Sequence, residues 1–232
     1  MTDGRELMRL HAEALFAHDA RGQLVRVNVP GGGPAPRFFL GRTADGAVWR
    51  VRHDVDDDTR TALAAAAGDG PFRGHPPDAP IDPSPYEEIL ARVAPVERTW
   101  VGPAFHFPRD LPAADGAVPV TAERAPLLDP LLHAWVPDVP TCQPMFVLVV
   151  DGRAVSVCAT VRRTDAACEA GVETAPDYRG RGYAARVVAP WARAVRAEGR
   201  VPLYSTSWRN EASRAVARRL ALVLFGSDLH VT

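Results

Sequence analysis

Residues 171–184 read GVETAPDYRGRGYA, and they join a predicted strand to a predicted helix. The strand ends at Thr174, and apolar residues at helical spacing from Ala184 to Val195 predict the helix that follows. The first N–H groups of a helix have no acceptor inside it, so they can bind phosphate oxygens. This strand, turn and helix therefore predict a phosphate-binding turn.

Two glycines and two arginines make the turn suitable for an anion. Gly180 and Gly182 let the backbone approach a phosphate closely, and Arg179 and Arg181 add positive charge. The turn lacks the Gly-Lys-Ser/Thr of a Walker loop and the third glycine of a dinucleotide fingerprint. The turn instead has arginine at position 179, glycine at 182 and alanine at 184. This spacing indicates a diphosphate cradle of another kind. The alternative is a capped helix start on a basic surface.

The elements around the turn are mainly strands and amphipathic helices. Asp151-Gly152 joins two apolar runs and is a strong hairpin signal. Strands are predicted at residues 118–121, 145–150, 154–161, 168–174, 201–205 and 222–231. Helical segments are predicted at residues 122–135, 184–195 and 210–220. Pro126 and Pro130 break the first of these helices into pieces, and Pro190 is expected to kink or split the second.

Two stretches in this order resemble the acetyl-CoA motifs of the GNAT superfamily of N-acetyltransferases. The first is the strand and turn at residues 171–184. The second is STSWRNEAS at residues 205–213, followed by RRLAL at residues 218–222, which is similar to the family's later strand and helix. The resemblance covers residues 118–232, half of the chain, with both motifs in the family's order and spacing.

The resemblance implies the α/β (α+β) fold class: a GNAT-like mixed, splayed central sheet with flanking helices, plus a smaller N-terminal α+β domain. It also implies that the strand before the turn separates from its neighbour and binds the pantetheine arm of acetyl-CoA, while the turn holds the pyrophosphate. The cofactor-binding residues implied in this way are Val172, Thr174, Arg179, Gly180, Arg181, Gly182, Tyr183, Ala184, Asn210 and Ser213.

Acetyl transfer to an amine usually needs a base, and two glutamates are candidates. Glu169 and Glu173 are four residues apart on one strand, so their side chains point to the same face. A carboxylate beside an apolar acyl pocket can have its pKa raised toward neutrality, which suits a base. Glu173 is nearer the implied thioester and is the first candidate, whereas Glu169 is nearer the place where several family members have a base. Either could instead be solvated, or be the partner of Arg162 or Arg163.

The chain departs from the family at the position of the general acid. Many members carry a tyrosine four residues after the serine that matches Ser213, and here this residue is Ala217. Tyr183 or Tyr204 could substitute, a water could do so, or the thiolate could leave unaided.

We expect two domains, an N-terminal α+β domain at residues 1–95 and a GNAT-like domain at residues 96–232. In the first, helices are predicted at residues 7–15, 57–67 and 86–93, and strands at residues 24–29, 38–40 and 48–51. Sixteen of the 22 prolines lie between Pro71 and Pro144, so this stretch is expected to be mostly loops and short elements. The N-terminal domain is expected to shape access of the acceptor.

Composition argues against several other classes of protein. The 27 basic residues are all arginine, and the net charge of -1, without an aromatic-basic surface motif, argues against nucleic-acid binding. No apolar run is long enough for a membrane helix, and the start of the chain lacks a signal-peptide pattern. Cys142, Cys158 and Cys168 suit neither a disulfide framework nor a zinc site. A cytoplasmic protein with no metal and no membrane partner is expected.

The leading function is acetyl-CoA-dependent N-acetylation, in which a primary amine of a small molecule or peptide attacks acetyl-CoA directly in a ternary complex. Direct attack is expected because no cysteine is placed at the acyl site. The alternative is a non-catalytic acyl-CoA-binding sensor or regulatory module, which the absence of the usual tyrosine favours. His75, His106 and His133 are secondary candidates for a substrate cleft.

Overall fold

A computed structural model describes residues 3–68, 78–113 and 115–232, so His75 lies outside the described residues. The chain is mixed α/β and divides into two compact units. The first unit takes in residues 1–106, 205–210 and 224–232, and the second takes in residues 107–204 and 211–223. None of the helices within the described ranges is long and apolar enough to cross a membrane.

The described residues of the first unit form three helices packed with strands in the order β4-β3-β11-β5. Its elements are α1 (Gly4–Leu15), β1 (Phe16–His18), β2 (Leu24–Val27), β3 (Phe38–Thr43), β4 (Gly46–Val51), α2 (Asp57–Ala67), α3 (Ser84–Ala91), β5 (Thr99–His106) and most of β11 (Val223–Val231). Met8 of α1 is fully buried, and a β-carbon on Gly41 or Gly226 would collide with its side chain. The two glycines therefore allow α1 to lie close to β3 and β11.

A buried carboxylate in the first unit joins α1 to β11. Oδ2 of Asp228 accepts hydrogen bonds from Nε2 of His11 at 3.2 Å and from Nε2 of His230 at 2.8 Å. Asp228 and His11 have no exposed surface. Burial raises the pKa of Asp228, but the two histidines outweigh that effect and hold it below its ordinary value of 3.8. The carboxylate is therefore ionised in the folded chain at neutral pH.

The second unit contains a five-stranded sheet with the order β10-β9-β8-β7-β6 and two helices. Its elements are β6 (Ala117–Pro119), β7 (Met145–Val150), β8 (Arg153–Arg163), β9 (Ala167–Thr174), α4 (Tyr183–Ala197), β10 (Val201–Ser205) and α5 (Glu211–Arg219), with 3₁₀ helices at Ala122–Leu128, His133–Asp138 and Pro176–Tyr178. Neighbouring strands are antiparallel except β9 and β10, which are parallel.

The parallel strands β9 and β10 separate part-way along their length. Their register starts at Val201 opposite Ala167 and ends at Leu203 opposite Glu169. β9 continues to Thr174 and stays paired with β8 over that length. Within the described part of the second unit, the β10-facing edge of β9 therefore has no partner strand after Glu169.

Helix α4 is fixed to the sheet by its apolar face. Val187, Val188, Trp191 and Val195 have no exposed surface. Nε1 of Trp191 also donates a hydrogen bond of 3.0 Å to Oγ1 of Thr160 on β8. This packing fixes the start of the helix next to the open edge of β9.

The predicted helices and strands are largely confirmed, and apart from the unpredicted short strand β1 the main exceptions involve proline. Residues 99–106 form β5 although Pro103 interrupts the stretch, since the carbonyl of Pro103 still accepts a hydrogen bond from Thr206. Helix α4 is not split at Pro190, because its buried face outweighs the one hydrogen bond that proline removes. Residues 122–135 hold 3₁₀ turns in place of a broken α-helix.

Two further features were not expected from the sequence. The sequence Ser84-Pro85-Tyr86-Glu87 predicts a capping serine followed by proline at the first helical position, but helix α3 begins at Ser84 itself and its N-cap residue is Pro83, which provides no side-chain cap. The first unit also takes in residues 205–210 and 224–232. The division of the chain into folding domains at residue 95 stays a prediction.

Replacing Asp228 by asparagine is expected to lower the free energy of unfolding by about 3 kcal/mol, because the buried His11 and the partly buried His230 lose a charged acceptor. The depressed pKa of Asp228 stabilises the fold at neutral pH, and this contribution is lost in acid as the pH falls through the folded-state pKa. Urea unfolding followed by circular dichroism at several pH values measures both effects. The acid-dependent loss should be smaller in Asp228→Asn than in the wild type.

Asp129→Asn is the matched control, since Asp129 makes a 2.9 Å contact with Nδ1 of His133 while their side chains are 57% and 71% exposed. The free energy of unfolding should change by less than about 0.5 kcal/mol. If Asp228→Asn and Asp129→Asn lost equal free energy of unfolding, the inference that burial makes the Asp228 contacts stabilising would be wrong.

Candidate functional site

The turn between β9 and α4 has a backbone that suits glycine. Gly180 and Gly182 both have φ of 76°, and Gly182 is the N-cap residue of α4 in the left-handed conformation. A β-carbon at residue 182 would lie 2.7 Å from Cζ of Arg219 on α5. The guanidinium of Arg219 therefore lies directly against the turn and adds a positive charge that the sequence motif does not contain.

The N–H groups of the turn are available to a ligand. Within the described ranges, those of Gly180, Arg181 and Gly182 have no hydrogen-bond acceptor, and α4 has no side-chain cap. Arg181 donates to the carbonyl of Asp177 at 3.1 Å and stacks over the ring of Tyr178. Arg181 therefore stabilises the conformation of the turn. The donors that the turn offers to a ligand are mainly its backbone N–H groups.

Arg179 forms a hydrogen bond with one backbone carbonyl of β9. Its Nε donates a 3.0 Å hydrogen bond to the carbonyl of Thr174, which therefore already has a donor. Oγ1 of Thr174 lies 2.8 Å from Oγ of Ser156 on β8. Val172 lies opposite Cys158 of β8, in the part of β9 that has separated from β10.

Trp135 contacts the first candidate base. Nε1 of Trp135 donates a 2.6 Å hydrogen bond to Oε2 of Glu173. The other carboxylate oxygen, Oε1, has no hydrogen-bond partner in the described part of the chain. The carboxylate is thus held in one orientation with one oxygen available.

Gly171 allows this contact. A β-carbon at residue 171 would overlap Cγ1 of Val161 and lie 3.1 Å from Cη2 of Trp135. Any larger residue would therefore push the indole away from β9. Trp135 was not identified from the sequence, because a single tryptophan in a proline-rich segment has no spacing that links it to a strand 38 residues later.

Glu169 has a different environment from Glu173. It is 2% exposed and lies opposite Arg162 of β8. Burial lowers the pKa of Arg162, and the Glu169 carboxylate opposes that shift. Glu169 therefore acts on Arg162 through its charge, and Glu173 is the more exposed of the two carboxylates.

Tyr204 of β10 contacts Ser213 of α5. Its hydroxyl lies 2.6 Å from Oγ of Ser213 and 3.3 Å from the carbonyl oxygen of the same residue. Burial raises the pKa of Tyr204 to about 12, although the hydrogen bond with Ser213 opposes the shift. Ala217 is buried and has no proton to give. Tyr183 is the other candidate for the general acid. It is the first residue of α4, and the Arg186 guanidinium lies over its ring.

Two further predicted cofactor-binding residues, Asn210 and Ala184, lie in different units of the chain. Asn210 belongs to the first unit, where its N–H donates to the carbonyl of Ser207. Ala184 lies in the first turn of α4. Among the described residues there is no group of three or more histidine, cysteine, aspartate or glutamate side chains that could hold a metal ion.

Comparisons with known proteins agree with this geometry. The family model "GNAT acetyltransferase" matches residues 146–224. A solved structure from Novosphingobium aromaticivorans, described as a GNAT-family acetyltransferase, is similar with a TM-score of 0.50 and 23% identity, over 59% of this chain and 65% of that one. A GNAT-family acetyltransferase from Colwellia psychrerythraea is similar with a TM-score of 0.51 and 11% identity, over 86% of this chain and 81% of that one. No curated protein matches the chain.

Residues 146–224 therefore match the GNAT acetyltransferase family, and the predicted α/β fold class is confirmed, with a mostly antiparallel sheet flanked by helices. The family match supports acyl-CoA-dependent acetyl transfer as the general chemistry. The chain spans slightly less than two thirds of the length of the Novosphingobium protein. The similarity to these two solved structures is evidence for the fold alone.

Gly171→Ala is expected to lower the free energy of unfolding by about 1–3 kcal/mol, because the added methyl overlaps Val161. Val161→Ala in the same chain should recover part of that loss, and urea unfolding of the two single variants and the double variant measures the coupling. Strictly additive losses would contradict the packing of Val161 against Gly171.

Proposed function

We propose that the second unit binds acetyl-CoA and transfers the acetyl group to a primary amine by direct attack in a ternary complex. One observation carries this proposal: among the described residues, β9 has no partner strand on its β10-facing edge after Glu169, and the N–H groups of residues 180–182 in the turn that follows have no acceptor. Backbone groups along an open strand edge can bind the amide groups of a pantetheine arm, as two β-strands bind each other. The free N–H groups at the start of α4 can bind the pyrophosphate.

The charge of this part of the chain supports a polyanionic ligand. Residues 179–219 contain ten arginines and two acidic residues, a net charge of +8, although the whole chain has a net charge of -1. Arg219 brings one of these charges against Gly182. A positive surface raises the local concentration of a polyanion and its rate of binding.

Glu173 is the proposed base. The attacking amine must lose a proton, and Oε1 of Glu173 is free to accept it while Trp135 holds Oε2. The hydrogen bond fixes the direction of the free oxygen, so Trp135 is a positioning residue. Glu169, which is buried beside Arg162, is the second candidate.

Tyr204 is the proposed substitute for the tyrosine absent at Ala217. Acetyl-CoA, when bound, supplies a thioester whose thiolate is already a good leaving group. With a pKa of about 12, Tyr204 keeps its proton at neutral pH. We therefore assign it the donation of a hydrogen bond toward the developing negative charge. Its proton turns there from the carbonyl oxygen of Ser213, and the Ser213 hydroxyl donates to the phenol oxygen.

The second candidate function is an acyl-CoA-binding sensor, favoured by Ala217 in place of the usual acid. A panel of small amines and peptides, assayed for release of the CoA thiol together with calorimetric binding of acetyl-CoA, separates the two. Release with any amine supports catalysis. Binding without release supports the sensor, and failure to bind acetyl-CoA contradicts both.

Glu173→Gln is expected to lower kcat/KM for the amine about 100-fold, because proton removal by a positioned base contributes that much. The dissociation constant of acetyl-CoA should stay within about twofold, since the glutamate is assigned to the acceptor amine. Glu169→Gln is the matched control and should have the smaller kinetic effect. A larger loss in Glu169→Gln, with its fold intact, would make Glu169 the base.

No acetyl-enzyme should form when the protein is incubated with acetyl-CoA and no amine. Burial raises the pKa of Cys158 far above its ordinary value, that of Cys168 to about 11, and that of Cys142 as well, so none is a thiolate at neutral pH. Intact-protein mass spectrometry has a clean background because the chain contains no lysine. Stoichiometric acetylation of any cysteine would contradict direct attack.

A further inference from the structure

A cleft in the first unit is lined by arginines from several elements. It lies beside β4 and has a volume of about 710 Å³, within the range of small-molecule sites. The residues that matter here are Arg5 and Arg9 of α1, Arg21 of the β1–β2 turn, Trp49 and Arg50 of β4, and Arg60 of α2. All belong to the first unit and to none of the acetyl-CoA motifs.

The lining is positive although its surroundings are acidic. Five arginines and two acidic residues line the cleft, a net charge of +3. Residues 1–106 as a whole contain 12 arginines and 15 acidic residues, a net charge of -3. The arginines of this region are therefore concentrated around one cavity.

The carboxylates of the cleft are already engaged. Glu6 binds Arg9 through Nε at 2.8 Å and Nη2 at 2.6 Å. Asp3 caps α1 by accepting a 2.7 Å hydrogen bond from the N–H of Glu6. These acids do not neutralise the rest of the lining.

Three of the arginines have no carboxylate partner. Within the described ranges, Arg5, Arg21 and Arg50 have no carboxylate oxygen within ion-pair distance. Arg50 donates only to the backbone carbonyl of Trp49, at 2.8 Å. These guanidinium groups retain donors for a ligand.

The charges in the cleft repel one another. Burial lowers the pKa of the half-buried Arg50, Glu13 opposes that shift, and both Arg9 and Arg5 lower the pKa further. A bound anion would remove this repulsion, and guanidinium forks match the paired oxygens of phosphate and carboxylate groups.

We propose that this cleft is a second ligand site, which binds a small organic polyanion through its phosphate or carboxylate groups. The site is independent of the proposed acetyl transfer. Arg5 and Arg21 bind the anionic groups, and Arg50 binds the most deeply placed oxygen.

The test measures binding of pyrophosphate and of citrate to the full chain by isothermal titration calorimetry at constant ionic strength. No acetyl-CoA is added, because this molecule is itself a small organic polyanion, and the cleft variants separate binding in the cleft from binding at the turn before α4. Arg5→Ala and Arg21→Ala remove exposed arginines of the cleft, so the fold should be kept, which circular dichroism and urea midpoints check. Arg26→Ala is the matched control, since Arg26 is exposed on β2 and does not line the cleft.

At least one probe should bind, and each cleft variant should weaken that binding about tenfold while Arg26→Ala changes it less than about twofold. Tighter binding of pyrophosphate identifies phosphate as the recognised group, and tighter binding of citrate identifies carboxylate. Absence of binding by both probes would overturn the proposal. Equal weakening by Arg21→Ala and Arg26→Ala would also overturn it, because the binding would then depend on net charge alone.

Discussion

The separation of β9 from β10 after the pair Leu203–Glu169 determines what the second unit can bind. Backbone donors and acceptors inside a protein need partners, and a strand edge without a neighbour has to find them in solvent or in a ligand. β8 holds the other edge of β9 along its whole length, so the open edge cannot close by a shift of the strand. Helix α4, fixed by Trp191, places its free N–H groups at the end of this edge.

The proposed catalytic side chains are positioned by contacts between elements far apart in sequence. Trp135 holds Glu173 across 38 residues, and Ser213 of α5 holds the hydroxyl of Tyr204 on β10. In the proposed mechanism, Tyr204 takes the place of the tyrosine absent at position 217, so the phenol comes from the strand and not from the helix. The serine that it contacts lies one turn before Ala217.

Local patterns in the sequence were sufficient to predict most of the helices and strands and the turn before α4. Gly180 and Gly182 are recognisable because their left-handed backbone needs glycine, and the helix after them has an apolar stripe. β5 was not predicted, since a strand with Pro103 inside it has the local signature of a loop. The partner of Glu173 and the arginine cleft were also beyond prediction. Both depend on residues from separate elements, and each such residue taken alone has the pattern of an ordinary core or surface position.

The hydrogen bond between Trp135 and Glu173 also affects the order of events in a reaction. While Glu173 is ionised the bond is charge-assisted, and once the carboxyl has taken a proton the bond joins neutral groups and is about half as strong. The 3₁₀ segment His133–Asp138, which contains Trp135, is then held less firmly against β9. If Glu173 is the base, this segment is loosest just after the amine has been acetylated, when product leaves. It tightens again when the proton passes to solvent, before the next acceptor binds.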